Sequence, residues 1–199
     1  AIKQIRKKGN IWLEKFVRFN DKKKSQFFEK EINIKKIEKR IKFEISKNQN
    51  FIEYSELGLN YLKKISKIIK KNTGSLLLID YGYTDKLMKN TLQGVSKHKF
   101  ANILDDIGNT DITHHLNFDF YKRFINKIGG LDSKLTSQKE FLLKMGIKQR
   151  AEIISQNQNF TKKAEIYYRL KRLIDEKEMG NLFKVMLIKN KKSKFKLGF

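Results

Sequence analysis

The clearest change in the hydrophobic pattern of this chain is an almost unbroken apolar run at residues 75–79. The run does not alternate, and Asp80, Tyr81 and Gly82 end it. This pattern predicts a strand covered on both faces, as in a parallel sheet. In open parallel sheets the ligand lies beyond the carboxyl ends of the strands, so Asp80 and Tyr81 are expected near a site. The alternative is a core strand followed by a plain turn, which many α/β folds contain.

The first part of the chain has the pattern of antiparallel strands. Residues 2–20 predict a hairpin that turns at Gly9 and Asn10. Residues 21–24 predict the next turn, and residues 25–32 predict a third strand. We therefore expect a small antiparallel meander at the N-terminus.

The rest of the chain alternates strands with helices, although residues 35–46 favour neither. Residues 51–54 predict a strand, and Ser55 is expected to cap a helix that ends near Gly74. The expected inward face of that helix comprises Leu57, Leu62, Ile65, Ile68 and Ile69. Further helices are predicted after Asn117 or Asp119, after Thr136 or Ser137, and over residues 147–154 and 164–176, with a last strand over residues 182–188. This alternation predicts the α/β class.

Composition sets wide limits. The 199 residues are 39% hydrophobic with 15 Phe, enough for one domain, or one domain with an appendage. Lys and Arg total 45 against 21 Asp and Glu, and the resulting charge of +24 suggests nucleic acid, an anionic membrane or an acidic partner. The excess is mainly Lys spread over the whole chain, with abundant Ile and Asn and no Pro or Cys. This is typical of drift toward A/T-rich codons, so we do not expect nucleic acid to be the main partner.

The residues present give only a weak indication of the cellular compartment. The absence of Cys excludes disulfides and thiolate metal sites and is compatible with a reducing compartment. No apolar stretch approaches the roughly 20 residues of a membrane span. The chain begins at Ala1, and processing or truncation can remove a targeting segment. The expected location is the bacterial cytoplasm, with the mitochondrial matrix as the alternative.

Familiar catalytic motifs are missing from the sequence. His114 and His115 are adjacent, so in a strand they face opposite ways, and no metal site is expected. His98 is expected to be structural. There is no GxSxG or HExxH motif, and no glycine-rich loop opens a helix after a strand. If this is a cofactor enzyme, the first half of its fold lies outside the chain.

Several ordered segments resemble the C-terminal half of the MidA-type methyltransferases, which depend on S-adenosyl-L-methionine. They are Ser75-Leu-Leu-Leu-Ile-Asp-Tyr-Gly82, Thr91-Leu-Gln93, Asp111-Ile-Thr-His-His-Leu-Asn-Phe118, residues 136–147 and residues 179–185. Ile2-Lys-Gln4, Trp12 and Phe51-Ile-Glu-Tyr-Ser55 also resemble family segments. The mitochondrial members of this family are arginine methyltransferases needed to assemble respiratory complex I.

The resemblance implies the C-terminal part of a Rossmann-like class I methyltransferase sheet, over residues 51–199, behind an antiparallel meander over residues 1–50. It implies S-adenosyl-L-methionine as cofactor, with the cofactor-binding residues expected upstream of Ala1. A protein substrate is implied, possibly a subunit of complex I. This fragment alone is expected to be inactive.

The family motifs also imply candidate residues. Asp80 is the carboxylate expected to hold a guanidinium, with Asp111 or Glu53 as second choices, and His115 is an alternative proton acceptor. The matched loop and strand-end positions place Tyr81, Gly82, Gln93, Asp111 and Thr113 on the substrate side.

Two further readings stay open at this point. One is a basic, non-catalytic module that lost the cofactor half and binds a partner, and the other is a nucleic-acid-binding domain. A strand meant for the middle of a sheet would also leave an unpaired apolar edge. A dimer or a second polypeptide is one way to cover such an edge.

Overall fold

The computed structural model describes residues 2–20 and 24–199. The first strands and helices are β1 (Ile2–Lys8), β2 (Ile11–Phe19), β3 (Ser25–Ile32), α1 (Ile34–Ile41), β4 (Phe51–Ser55), α2 (Glu56–Asn72), β5 (Ser75–Tyr83), β6 (Gln93–Ser96), β7 (Lys99–Ala101) and β8 (Asp111–Thr113). The remainder are β9 (Leu116–Asn117), α3 (Phe118–Ile128), β10 (Leu131–Ser137), α4 (Gln138–Lys144), α5 (Ile147–Ser155), α6 (Phe160–Ile174), α7 (Met179–Leu182) and β11 (Phe183–Asn190). The predicted mixed α/β class is confirmed.

The chain forms two compact units, each built from two separate stretches. Unit 1 comprises residues 1–63 and 85–115, and unit 2 comprises residues 64–84 and 116–199. Neither unit has a boundary at residue 50, where the sequence predicts the end of the meander. The correspondence of residues 51–199 to half of a methyltransferase domain stays a prediction.

Unit 1 contains a four-stranded antiparallel sheet in the order β3-β2-β1-β4. The predicted strands over residues 2–20 and 25–32 are present, and the sheet also includes β4. Ile5 lies opposite Ile52, and both are fully buried, so this face carries the core of the unit. Of the turn predicted over residues 21–24, residues 21–23 lie outside the described part of the chain.

The segment that the sequence leaves undecided begins as helix α1. The Asn33 side chain caps the helix by accepting from the backbone N–H of Lys36 at 3.1 Å. Its buried Glu38 accepts from the backbone N–H groups of Ile45 and Ser46, each at 2.9 Å. These bonds tie the segment after the helix to its last turn. A second, three-stranded sheet in unit 1 has the order β7-β6-β8.

Helix α2 is capped by Ser55 as predicted, since the Ser55 hydroxyl accepts from the N–H of Gly58 at 3.0 Å. Its predicted inward face is only partly correct. Leu62 and Ile69 are buried, whereas Leu57, Ile65 and Ile68 are exposed. The buried stripe instead comprises Leu59, Leu62, Ser66 and Ile69. A narrow stripe with steps of three and four residues includes a serine, which an argument from apolar residues alone passes over.

Unit 2 contains a sheet in the order β10-β11-β5-β9. The prediction for residues 75–79 is wrong in two respects. Strand β5 runs antiparallel to β11 and is parallel only to the short β9, through Gly82 and Tyr83. Its side chains also alternate in burial, with Leu77 45% and Ile79 47% exposed. The strand continues to Tyr83, so Asp80, Tyr81 and Gly82 lie within it and not beyond it. The Rossmann-like arrangement of the complete sheet stays a prediction.

Two helices in unit 2 begin at N-cap residues that the sequence predicts. Asn117 caps α3 by accepting from the N–H of Phe120 at 2.9 Å, and Ser137 caps α4 by accepting from Glu140 at 3.2 Å. Phe120 and Phe124 lie on the inward face of α3 and are buried, as predicted. Among the described helices, none has the length and apolar content needed to cross a membrane.

Candidate functional site

The candidate residues fall into two groups, one in each unit. In unit 2, Asp80 lies opposite Lys184 in the pairing of β5 with β11. One Asp80 oxygen accepts from the backbone N–H of Tyr81 at 2.8 Å. Burial lowers the pKa of Lys184, whose ammonium donates to the carbonyl of Asn181. Asp80 is half-buried as a residue.

Asp80 also acts on a buried phenol of helix α3. Burial, and then the negative charge of Asp80, raise the pKa of the Tyr121 hydroxyl to about 12. A tyrosine is protonated at neutral pH even without this shift, so the phenol of Tyr121 is neutral there. A carboxylate with a protonated phenol in its field is suited to hold a cationic or hydrogen-bonding substrate group.

The two residues after Asp80 shape the end of β5. The Tyr81 ring packs against Phe183, with 4.2 Å between ring centroids. A Cβ on Gly82 would lie 2.4 Å from the carbonyl oxygen of Leu116 and 2.5 Å from the Phe118 ring. Only glycine fits there, because strand β9 and the start of α3 pack directly on the backbone.

In unit 1, the loop motifs meet at the small sheet. Gln93 of β6 lies directly opposite Thr113 of β8, while Asp111 is exposed at the start of β8. The Thr113 hydroxyl is buried and has no hydrogen-bond partner among residues 2–20 and 24–199. The backbone N–H of His115 donates to the Thr91 hydroxyl at 2.9 Å, which fixes the histidine backbone beside the Thr91 segment.

A buried carboxylate links these motifs to the N-terminal strand. We call Gln4, Glu53, Asn90, Thr91 and Leu92 the Glu53 cluster. Glu53 is 6% exposed and accepts from the Gln4 amide at 2.6 Å, the Leu92 N–H at 3.2 Å and both the N–H and hydroxyl of Thr91. The Gln4 amide also donates to Asn90 at 2.7 Å. Through Thr91 the cluster reaches His115.

The hydrogen bonds of the Glu53 cluster bear on which candidate carboxylate is available to bind a guanidinium. Glu53 already accepts several hydrogen bonds and is buried, so a guanidinium would have to displace its partners. Its geometry suits holding the Asn90–Leu92 backbone in place. Sequence analysis named Glu53 only as a second choice and missed the side chains of Gln4 and Asn90. Both residues stand inside or beside segments that resemble the family, which was the only signal available.

A metal reading gains no support from the described part of the chain, residues 2–20 and 24–199. Within it, no three His, Asp or Glu side chains are grouped as metal ligands would be.

Comparison with known proteins identifies a family match over much of the chain. Residues 1–136 match the sequence model of a family described as "putative S-adenosyl-L-methionine-dependent methyltransferase". The protein arginine methyltransferase NDUFAF7, mitochondrial, of Xenopus laevis is 27% identical over 124 residues, which cover 62% of this chain and 28% of the relative. The same protein of Danio rerio is 24% identical over 129 residues, covering 65% of this chain and 30% of the relative.

Solved structures match the fold of the whole chain. A crystal structure of an uncharacterized Burkholderia thailandensis protein has a TM-score of 0.82 at 22% identity and covers 100% of this chain. A second Burkholderia thailandensis structure, bound to S-adenosyl-homocysteine, has a TM-score of 0.79 at 23% identity. The match covers 54% and 52% of those two chains. This chain therefore spans about half of the solved structures and under a third of the curated relatives that it matches.

Proposed function

Because this chain belongs to the family of S-adenosyl-L-methionine-dependent methyltransferases, we propose that it forms the substrate-holding part of a protein arginine methyltransferase. The observation that carries the proposal is the family match over residues 1–136. The names of the frog and fish relatives support arginine as the methylated residue. By the resemblance of its motifs, the proposed substrate is a subunit of respiratory complex I.

The cofactor of this family is S-adenosyl-L-methionine, and the described residues do not fit as its main binding site. No glycine-rich loop joins a strand to a following helix in residues 2–20 and 24–199. Gly82 lies beside the start of helix α3, but Leu116 and Phe118 fill the space next to its backbone. We propose that the residues that hold the cofactor lie outside these 199 residues.

The residues present have a defined task in this proposal. The cofactor supplies an activated methyl group, and the protein must hold a guanidinium nitrogen in line and accept its proton. Asp80 is the preferred carboxylate, because it is only half-buried and its side chain accepts a hydrogen bond from the adjacent Tyr81 backbone. Asp111 is exposed, and Glu53 is already occupied by its own donors. His115 is the alternative proton acceptor, since a neutral imidazole has one ring nitrogen that accepts a proton.

The proposal is tested by replacing Asp80 in an enzyme that includes the cofactor-binding part. Asp80→Asn is expected to slow methyl transfer by about 100-fold, the scale of one lost acid–base or orienting group. Affinity for S-adenosyl-L-methionine, measured by calorimetry, should stay nearly unchanged. Asp132→Asn, an exposed aspartate on β10, is the control and should retain full activity. Unchanged turnover in Asp80→Asn would remove Asp80 from the mechanism.

The alternative function is a non-catalytic basic module that binds a protein or nucleic acid. The lack of a cofactor site among the described residues is the observation that favours it. Calorimetry with S-adenosyl-L-methionine separates the two readings. It should be run on these 199 residues and on a chain extended by the upstream coding sequence. Binding by the extended chain supports the methyltransferase, and binding by neither supports the module.

A further inference from the structure

Unit 1 contains an open groove that no step above uses. Its larger compartment has a volume of about 520 Å³. Val17 of β2 and Phe27 of β3 form one wall, and Leu92, Ile103 and Ile112 form the other. Val17 and Phe27 belong to the four-stranded sheet, whereas Ile112 belongs to the three-stranded sheet. Val17 is 49% and Ile112 54% exposed, so the apolar walls are open to solvent.

The floor of this compartment is held by the Glu53 cluster. Gln4 lines the compartment, and its amide is bound to Glu53 and Asn90. Leu92 also lines it, and its backbone N–H is bound to Glu53. One buried carboxylate therefore joins the wall that contains Leu92 to Gln4 of strand β1. A pocket held in this way is preorganised, which lowers the cost of ordering it around a ligand.

A second compartment of about 480 Å³ is lined by neighbouring positions of the same two segments. Ser25 lies two residues before Phe27 on the same face of β3, and Leu104 follows Ile103. This compartment is more polar, with Lys24 and Asp105 at its edge. Side chains on one face of an extended chain repeat every two residues, about 6.6 Å apart. Two compartments in sequence along a strand suit an extended polypeptide better than one compact molecule.

We propose that this groove binds an extended segment of the polypeptide substrate. The compartment between Val17 and Ile112 takes one bulky apolar side chain, such as Leu, Ile, Phe or Met. The chain then runs along Ser25, with a polar side chain in the second compartment. The assignment of this polypeptide as substrate rests on the proposed function, whereas the binding itself does not require the cofactor.

The test is methyl NMR on the protein labelled at Ile, Leu and Val methyl groups. The first probe is the blocked hexapeptide Ser-Arg-Ser-Leu-Ser-Ser, and the matched probe has Ser in place of Leu. Saturable shifts are expected at the methyl groups of Ile2, Val17, Leu92, Ile103 and Ile112, all of which line the compartment. The Leu-free peptide should bind about tenfold more weakly or worse, because it leaves the apolar walls uncovered.

Two variants place a charge on opposite walls of the compartment. Val17→Asp and Ile112→Asp should each weaken binding of the Leu peptide by about tenfold, because a carboxylate in an apolar pocket is costly. Phe100→Asp is the matched control. Phe100 is 82% exposed and lies in the same small sheet as Ile112, but it does not line the groove. This variant should bind as the unchanged protein does.

Equal shifts with both peptides, or shifts centred on methyl groups of unit 2, would overturn the proposal without any variant. Shifts that appear on raising the protein concentration alone would place a second copy in the groove and would also overturn it. S-adenosyl-L-methionine is absent from the experiment. Loss of peptide binding therefore leaves methyl transfer to be judged separately, and peptide binding without methyl transfer would favour the binding module.

Discussion

At the scale of single residues, Gly82 is a position where neighbouring backbone leaves no room for a side chain. A methyl group there would meet a backbone carbonyl and a buried ring, neither of which can move aside cheaply. We expect Gly82→Ala to lower the free energy of unfolding by about 1–3 kcal/mol, as overpacking does. Gly74→Ala is the control, since no atom lies within 4 Å of its added Cβ. Thermal melting followed by circular dichroism would measure both, and equal melting points would contradict the close packing.

Glu38 gives a second residue-scale prediction, which concerns pH. Burial acts to raise the pKa of Glu38, but hydrogen bonds from Lys35, Ser46 and Ile45 outweigh it and hold the pKa below its usual range. A carboxyl whose folded pKa is lowered stabilises the fold above its unfolded pKa, and that contribution disappears as pH falls through the folded pKa.

The measurement is denaturant unfolding across pH. We expect Glu38→Gln to destabilise the chain by about 1–3 kcal/mol at pH 7, since backbone donors lose a charged acceptor. The difference from the unchanged protein should shrink below about pH 4.3, the ordinary pKa of glutamate. Glu44→Gln is the control at an exposed site. A destabilisation that does not change with pH would show that the charge of Glu38 contributes nothing.

At the scale of elements, strand β5 has an edge that lacks the usual protection. Along residues 75–81 it is paired on one side with β11, and no described strand pairs with its other side. Leu77 and Ile79 are exposed there, and the strand carries no Lys or Pro. Such an edge promotes pairing between chains. The solved structures that this chain matches are nearly twice as long.

We therefore expect the isolated chain to self-associate, and Ile79→Lys to shift it toward monomer in analytical ultracentrifugation. Ile154→Lys is the matched control, because Ile154 is similarly exposed at 41% but lies on helix α5. Both variants add the same charge and remove the same side chain. A monomeric unchanged protein, or an equal effect of both variants, would count against the role of this edge.

Local elements were predictable because their signals are local. The caps at Ser55, Asn117 and Ser137 each depend on a side chain three residues from its backbone donor. The coverage of β5 was not predictable from its apolar pattern, because burial depends on which strands stand beside it. The residues of the candidate site were found by motif order, whereas the bonds of Gln4 to Glu53 and Asn90 join distant parts of the chain and become visible only in the fold.

At the scale of the whole molecule, the charge of +24 raises the question of nucleic acid. We expect duplex DNA to bind no more tightly than ordinary non-specific contact, roughly 10⁻⁴ to 10⁻⁶ M at physiological salt. The reason is that the lysines are spread over the sequence instead of forming one basic segment. Fluorescence anisotropy between 50 and 200 mM salt would measure this. Nanomolar binding with a steep salt dependence would contradict it and favour a nucleic-acid module.

The division into two units, each made of two separate stretches, has a consequence for synthesis on the ribosome. Thr91 and Leu92 complete the hydrogen bonds of Glu53 in unit 1. The packing of the N-terminal strands therefore cannot be completed until these later residues have been synthesised. Contacts between distant parts of a chain slow folding and prolong the exposure of apolar surface. A single cut cannot separate the two units cleanly, because a fragment that keeps all of unit 1 also keeps residues 64–84 of unit 2, and one that keeps all of unit 2 also keeps residues 85–115 of unit 1.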